Sequence, residues 1–138
     1  MPGKRPLPRF PEPDTAPFWE ATKRHELVYQ VCNTTGKVVF YPRRCCADCP
    51  SGESAWRVSK GLGTVYTFTV IMQSRHPAFA PLGPYAVAYV DLDEGFRMMT
   101  NIVGVQDPIK DIQCGMRVQL RWEDQGEGEV SLPMFEPA

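Results

Sequence analysis

Cys32-Asn33-Thr34-Thr35-Gly36 and, further along the chain, Cys46-Ala47-Asp48-Cys49 are the two segments that decide the fold of the first half of this protein. The second segment is a complete Cys-x-x-Cys turn, whereas in the first a threonine stands where the second sulfur is expected. Two such turns that face each other are typical of a structural zinc site with four ligands. The segments therefore predict a ribbon-like hairpin module and raise the question of a metal.

The predicted ligand set contains three thiolates and one hydroxyl, namely Cys32, Cys46, Cys49 and, in the fourth position, Thr35. A neutral hydroxyl is a poor zinc ligand, because structural zinc is held by thiolate, imidazole or carboxylate groups. Cys45 and His25 are the other candidates for a fourth ligand. Two alternatives stay open: a ribbon that binds zinc, and a ribbon that has lost the metal and keeps its shape by packing.

The composition of the chain narrows the class of protein. A chain of 138 residues can form a small module plus one barrel-sized domain. Its formal net charge of −1 disfavours a dedicated nucleic-acid binder, since such proteins usually carry a basic surplus. Neither a membrane-spanning apolar run nor a secretion signal is evident, so we expect a cytoplasmic protein. In that reducing compartment, clustered cysteines indicate a present or lost metal site rather than disulfides.

The predicted fold class is mainly β, in three consecutive parts. Residues 1–13 contain five prolines and predict an extended tail, disordered over residues 1–8 and in ordered contact from Phe10 onward. Residues 14–56 predict a short N-terminal helix, capped by Thr15 and continuing to His25, followed by the zinc-ribbon-like hairpin. Residues 57–138 predict a five-stranded OB-fold barrel, because five strands occur with a small connector between the third and fourth.

The strands are predicted from segments rich in β-branched and aromatic residues. The two ribbon strands are placed at residues 27–31 and 37–41, and a loop is placed at residues 50–54. The five barrel strands are placed at residues 65–71, 85–92, 96–103, 116–122 and 130–135. Residues 116–122 alternate cleanly between apolar and polar side chains, which indicates a strand with one buried face.

Partner binding is predicted for three aromatic residues, Phe18 and Trp19 on the short helix and Phe79 in a proline-rich loop. Exposed aromatic side chains and loops stiffened by proline are typical of interaction surfaces. The alternatives are that the helix packs on the protein's own body and that the loop covers an open end of the barrel. Asp91, Asp93 and Glu94 are interpreted as turn residues, and no catalytic residue is predicted.

At this point the chain resembles a known family, the acyl-CoA-associated OB-fold proteins of bacteria and archaea. These proteins join an N-terminal helix and a rubredoxin-like zinc ribbon to a C-terminal OB-fold domain. The resemblance covers the chain from residue 12 onward and departs from the family pattern at Thr35. The matching segments are Thr15 to Trp19, His25 to Cys32, Tyr41 to Arg43, Cys46 with Cys49, Gly63 to Val70, Pro84 to Leu92 and Gly115 to Val118.

The resemblance implies a non-catalytic accessory subunit that binds and stabilises a thiolase-like acyl-CoA enzyme. Such enzymes include the lipid-transfer-type aldolases that cleave steroid side chains. It also implies that the acyl-CoA is a ligand shared with the partner. The alternative is a single-stranded nucleic-acid-binding OB-fold protein, which would need aromatic platforms and a basic groove. A small redox metalloprotein is a third hypothesis, but iron in a rubredoxin-like site needs four thiolates and Thr35 removes one.

Overall fold

The computed structural model describes residues 5–9, 12–50 and 52–138. The protein is mainly β, as predicted, with one short N-terminal helix, a three-stranded ribbon sheet and a closed five-stranded barrel. The elements in chain order are α1 (Ala16–Thr22), β1 (Val28–Cys32), β2 (Val38–Val39), β3 (Ser54–Val58), β4 (Leu62–Ile71), a 3-10 turn (Ala80–Leu82), β5 (Tyr85–Leu92), β6 (Arg97–Ile102), α2 (Pro108–Asp111), β7 (Arg117–Asp124) and β8 (Ser131–Pro137).

The ribbon sheet has the order β2-β1-β3, with both neighbours antiparallel to β1. Every residue of β1 is buried, so this strand is the centre of the module. β3 is not predicted from the sequence, because most of its side chains are exposed and no apolar alternation marks it. The predicted boundary between residues 56 and 57 falls inside β3, which pairs along its whole length with β1. The second predicted strand is shorter than expected, at two residues.

The barrel closes in the order β4-β5-β6-β8-β7, which confirms the predicted five-stranded OB-fold architecture. The predicted connector is α2, a single helical turn between β6 and β7 whose first turn is capped by Asp107. Along β5 the even-numbered residues from Ala86 to Leu92 are buried, and the odd-numbered residues face outward. Closing the barrel removes most of the free strand edges that an open sheet would expose.

Helix α1 ends at Thr22, three residues before the predicted end at His25. The chain turns after the helix, and His25 takes a φ of 58°, a left-handed conformation that breaks the helix. Thr15 occupies the N-cap position, as predicted, but its hydroxyl donates to the carbonyl oxygen of Glu12 and accepts no hydrogen bond from the helix. Phe18 and Ala21 join one continuous core with β1 and the barrel strands.

The N-terminal tail contacts the barrel earlier than predicted. Arg5, which was expected to be disordered, forms an ion pair with Glu123 of β7, and its guanidinium lies 5.3 Å from the ring centroid of Phe79. Phe10, from which ordered contact was expected, lies outside the described residues, as do residues 1–4. No helix in the described part of the chain is both long enough and apolar enough to span a bilayer.

Candidate functional site

The first cysteine turn follows directly from β1. Cys32 is the last residue of β1 and is buried, and the turn closes with a hydrogen bond from the N–H of Gly36 to the carbonyl oxygen of Cys32. Gly36 has a φ of 71°, a conformation that favours glycine. The hydroxyl of Thr35 lies 4.0 Å from the sulfur of buried Cys46, so the two turns face each other as predicted.

The turn that begins at Cys32 lowers the pKa of the Cys32 thiol. Hydrogen bonds from the Thr35 side chain, and then from the Thr35 backbone, lower the pKa of Cys32 to about 7. Burial opposes this shift, because it disfavours the charged thiolate. Thr35 therefore acts toward the sulfur as a hydrogen-bond donor, which is a different role from that of a fourth thiolate.

The side chains predicted to hold zinc do not form a complete ligand set. Across residues 5–9, 12–50 and 52–138, no group of three or more histidine, cysteine or acidic side chains is arranged to hold a metal ion. His25, a candidate fourth ligand, instead bonds the Asp124 carboxylate at 2.6 Å and stacks on Trp122. Structural zinc takes four strong ligands, and three thiols with one hydroxyl do not fit that requirement.

An apolar groove of about 300 Å³ lies where the helix, the ribbon and the barrel meet. Phe18 is 7% exposed and packs edge-on against Trp19 at 5.1 Å, so its ring belongs to the core beneath the groove. Trp19 is half-buried and lies at the groove wall. The opposite wall is formed by side chains of β6 and β8, among them Met98, Met99, Leu132 and Met134.

Phe79, the third predicted partner residue, is half-buried beside the 3-10 turn. Its ring stacks on Tyr85 of β5 at 5.6 Å and lies 5.2 Å from the His76 ring. Arg5 covers the same ring from the tail, so the proline-rich loop is braced on the barrel. The partner contact predicted for Phe18, Trp19 and Phe79 stays a prediction.

A strip on the outside of the barrel, which the sequence did not predict, links Phe79 and Trp19. We call it the outer face and define it as Tyr85, Val87 and Tyr89 of β5 with Met99 and Asn101 of β6. Tyr89 and Met99 are directly opposite each other and are 43% and 55% exposed. The outer face begins at Tyr85, which stacks on Phe79, and ends at Met99, which lines the same groove as Trp19. The period-two alternation of β5 is the signal that could have revealed it.

Two arginines of the barrel, Arg97 on β6 and Arg117 on β7, are paired with carboxylates. Arg97 lies 3.5 Å over the Tyr66 ring and binds both oxygens of Asp91. Arg117 binds both oxygens of Asp93, and these hydrogen bonds hold the pKa of Asp93 below its usual range. Asp91 and Asp93, which were interpreted as turn residues, therefore also fix two guanidinium groups, and neither of these groups lacks a carboxylate partner.

Known proteins match this chain over nearly its whole length. Two family models match, "ChsH2, rubredoxin-like zinc ribbon domain" over residues 19–54 and "ChsH2, C-terminal OB-fold domain" over residues 56–123. A solved chain titled "Ltp2-ChsH2(DUF35) aldolase" is 38% identical with a TM-score of 0.83, and the match covers 95% of this chain and 98% of that one. This chain belongs to the DUF35 family.

Two relatives of this DUF35 chain carry different names. A "Probable enoyl-CoA hydratase alpha subunit" of Thermomonospora curvata is 40% identical over 125 residues, and the match spans 91% of this chain but only 38% of that protein. A "DUF35 domain-containing scaffold protein" of Methanocaldococcus jannaschii is 30% identical over 103 residues, which are 73% of this chain and 71% of the relative. The family membership confirms the resemblance found in the sequence.

Proposed function

We propose that this DUF35 chain is a non-catalytic accessory subunit that binds and stabilises a thiolase-like acyl-CoA enzyme, in which catalysis takes place. The observation that carries the proposal is the match over nearly the whole of both chains to a subunit titled as part of an aldolase. The scaffold name of the archaeal relative supports the same role. We do not propose the hydratase activity in the name of the longer relative for this chain, because this chain spans only 38% of that protein.

The outer face supports a protein partner. Tyrosine, methionine and arginine are enriched in the centres of protein interfaces, and the outer face exposes Tyr89 and Met99 beside the Arg97–Asp91 pair. Phe79 and Trp19 lie at the two ends of this strip. We infer that the partner enzyme covers the outer face and touches Phe79 and Trp19 at its margins.

The groove beside Trp19 supports a shared acyl-CoA ligand. Its volume of about 300 Å³ is at the lower end of the range for small-molecule sites, and its walls are mainly apolar. We infer that the partner closes this groove and that the acyl portion of the CoA thioester lies between the two chains. In a steroid side-chain aldolase, that portion would be the bulky ring system.

Reconstitution of the complex tests the proposed function. The chain is co-expressed with a thiolase-like steroid side-chain aldolase, and the mass of the purified complex is measured by light scattering. We expect a stable complex, thioester cleavage by the complex and none by this chain alone, and a higher melting temperature for the partner in the complex. Turnover of an acyl-CoA by the isolated chain, or a failure to bind the aldolase, would contradict the proposal.

The nucleic-acid alternative has weaker support. The outer face carries aromatic side chains that could stack on bases, but Arg97 and Arg117 each bind a carboxylate through two hydrogen bonds. Single-strand binders need free positive charge along the groove that follows the backbone. A gel shift with single-stranded DNA that weakens with salt would favour this alternative, and we expect none at physiological salt.

A further inference from the structure

The ribbon holds its second cysteine turn by contacts that require no metal. Gln30, in the middle of β1, is 6% exposed, and its side-chain amide meets the backbone of Arg43 in two hydrogen bonds. Its Nε2 donates to the Arg43 carbonyl oxygen at 2.9 Å, and the Arg43 N–H donates to Oε1 at 2.8 Å. One buried side chain thereby fixes the backbone immediately before the second turn.

The chain is also fixed after the second turn. The N–H of Asn33 donates to the carbonyl oxygen of Glu53 at 2.8 Å, and Cys32 is paired with Ser54 where β3 begins. An ion pair between Lys37 and Asp48 joins the first hairpin to the second turn. That ion pair is exposed and contributes little by itself, so the buried Gln30 contact and the β1–β3 pairing carry most of the attachment.

We propose that this ribbon folds without zinc. The two hydrogen bonds between Gln30 and the Arg43 backbone hold the second cysteine turn in place instead of a metal. The zinc ribbon family model spans this module, yet Thr35, whose hydroxyl lies 4.0 Å from the Cys46 sulfur, is a neutral hydroxyl and not a strong zinc ligand. The donor set and the family pattern thus disagree, and the buried amide explains how the module tolerates the loss. This inference is independent of the proposed function.

Zinc content and chelation provide the first test. The full chain is purified from zinc-supplemented medium, zinc is measured by mass spectrometry, and melting is followed with and without 1,10-phenanthroline. We expect zinc far below one ion per chain and a melting temperature that the chelator leaves unchanged. Thr35→Cys, which completes the four-thiolate set, is expected to bind one zinc and to melt lower with chelator. Stoichiometric zinc in the unaltered chain that Cys46→Ser abolishes would overturn the proposal.

Limited proteolysis tests the role of the Gln30 hydrogen bonds. Arg43 and Arg44 are exposed trypsin sites in the segment that Gln30 fixes, so loss of its hydrogen bonds frees the backbone there for cleavage. We expect Gln30→Met, which keeps the volume but removes the hydrogen bonds, to be cut after these arginines about tenfold faster, while the barrel stays folded by circular dichroism. The matched control is Gln73→Met, an exposed glutamine after β4. Equal cleavage rates in the two variants would overturn the role given to Gln30.

Discussion

At the scale of single residues, Gly63 of β4 shows how closely two barrel strands approach. A Cβ atom at this position would lie 2.7 Å from the carbonyl oxygen of Asp91 and 2.7 Å from a methyl carbon of Val90. One of these neighbours is backbone, so the clash cannot be relieved by a rotamer change. The local sequence Gly61-Leu62-Gly63 is therefore a packing requirement of the barrel as well as the start of a strand.

Gly63→Ala is expected to lower the free energy of unfolding by about 2 kcal/mol, because overpacking a tight site forces backbone shifts. The measurement is urea unfolding followed by tryptophan fluorescence. Gly128→Ala is the comparison, since no atom lies within 4 Å of its added methyl group and only its φ of 77° is unfavourable. A loss for Gly63→Ala no larger than that of Gly128→Ala would contradict the clash.

Asp93 gives a pH dependence at the same scale. Hydrogen bonds from Arg117 hold the pKa of Asp93 below its ordinary value, so the folded state binds this proton more weakly than the unfolded chain. The stabilisation is therefore present above the ordinary carboxyl pKa and disappears as the pH falls through the lowered value. We expect Asp93→Asn to be less stable than the unaltered chain at pH 7, and the difference to shrink as the pH falls below the ordinary carboxyl pKa and through the lowered pKa of Asp93.

Urea unfolding midpoints, measured at intervals of about one pH unit between pH 2 and pH 7, check this expectation. Glu127→Gln is the control, because Glu127 is exposed in the turn between β7 and β8. The control should follow the unaltered chain at every pH. A constant difference between Asp93→Asn and the unaltered chain over the whole range would show that the Arg117 pair has no linked protonation.

At the scale of elements, the tail, the proline-rich loop and β7 form one braced unit. Arg5 binds Glu123 and covers the Phe79 ring, and its side chain is only 13% exposed although it lies near the chain terminus. A partly buried guanidinium that contacts both a carboxylate and an aromatic ring stabilises the structure more than an exposed surface ion pair does. The tail thus limits the motion of the loop that carries Phe79.

Arg5→Ala is expected to speed amide exchange in the loop at residues 76–83. Removal of the guanidinium frees the Phe79 ring on one side, so the loop's own hydrogen bonds, such as Phe79 N–H to the His76 carbonyl oxygen, open more often. Hydrogen–deuterium exchange by mass spectrometry measures the change, and about a fivefold faster uptake corresponds to about 1 kcal/mol. Arg9→Ala, exposed on the same tail, is the control. Equal deuterium uptake in both variants would show that Arg5 does not restrain the loop that carries Phe79.

The elements also show what could be predicted from the sequence. Residues 85–92 were placed without error, because apolar alternation marks a strand with one buried face. β3 was missed because it is recognised only through its pairing with β1, which lies far away in sequence. The Gln30–Arg43 and Arg5–Glu123 contacts depend on tertiary proximity in the same way. Both cysteine turns and the incomplete ligand set at Thr35 are evident in the sequence, whereas the engagement of His25 by Asp124, far away in the sequence, needed the structure.

At the scale of the whole molecule, the helix, the ribbon and the barrel share one hydrophobic core. Phe40, which follows β2, lies 5.9 Å from Phe18 of the helix and 4.6 Å from Phe96 beside β6. A seven-residue helix is too short to be stable alone, so these contacts hold it in place. The outer face and the groove therefore lie on a rigid body, which lowers the entropy lost when a partner docks.

Because the outer face lies on a rigid body, its proposed role in partner binding can be tested by substitutions that leave the fold intact. Met99 is 55% exposed at the groove end of the outer face, and Met99→Glu places a charge where the partner aldolase is expected to bury apolar surface. We expect binding to weaken by about a hundredfold, the loss typical of an interface hot spot, with an unchanged melting temperature.

Ile109→Glu is the matched control for Met99→Glu. Ile109 is equally exposed, at 56%, but lies on α2, outside the outer face. Titration calorimetry with the purified aldolase measures both affinities, and the control should bind like the unaltered chain. If both variants bind normally, the outer face is not the docking surface even where the complex itself forms. If Ile109→Glu alone weakens binding, the partner docks around α2, and the groove beside Trp19 remains open to solvent in the complex.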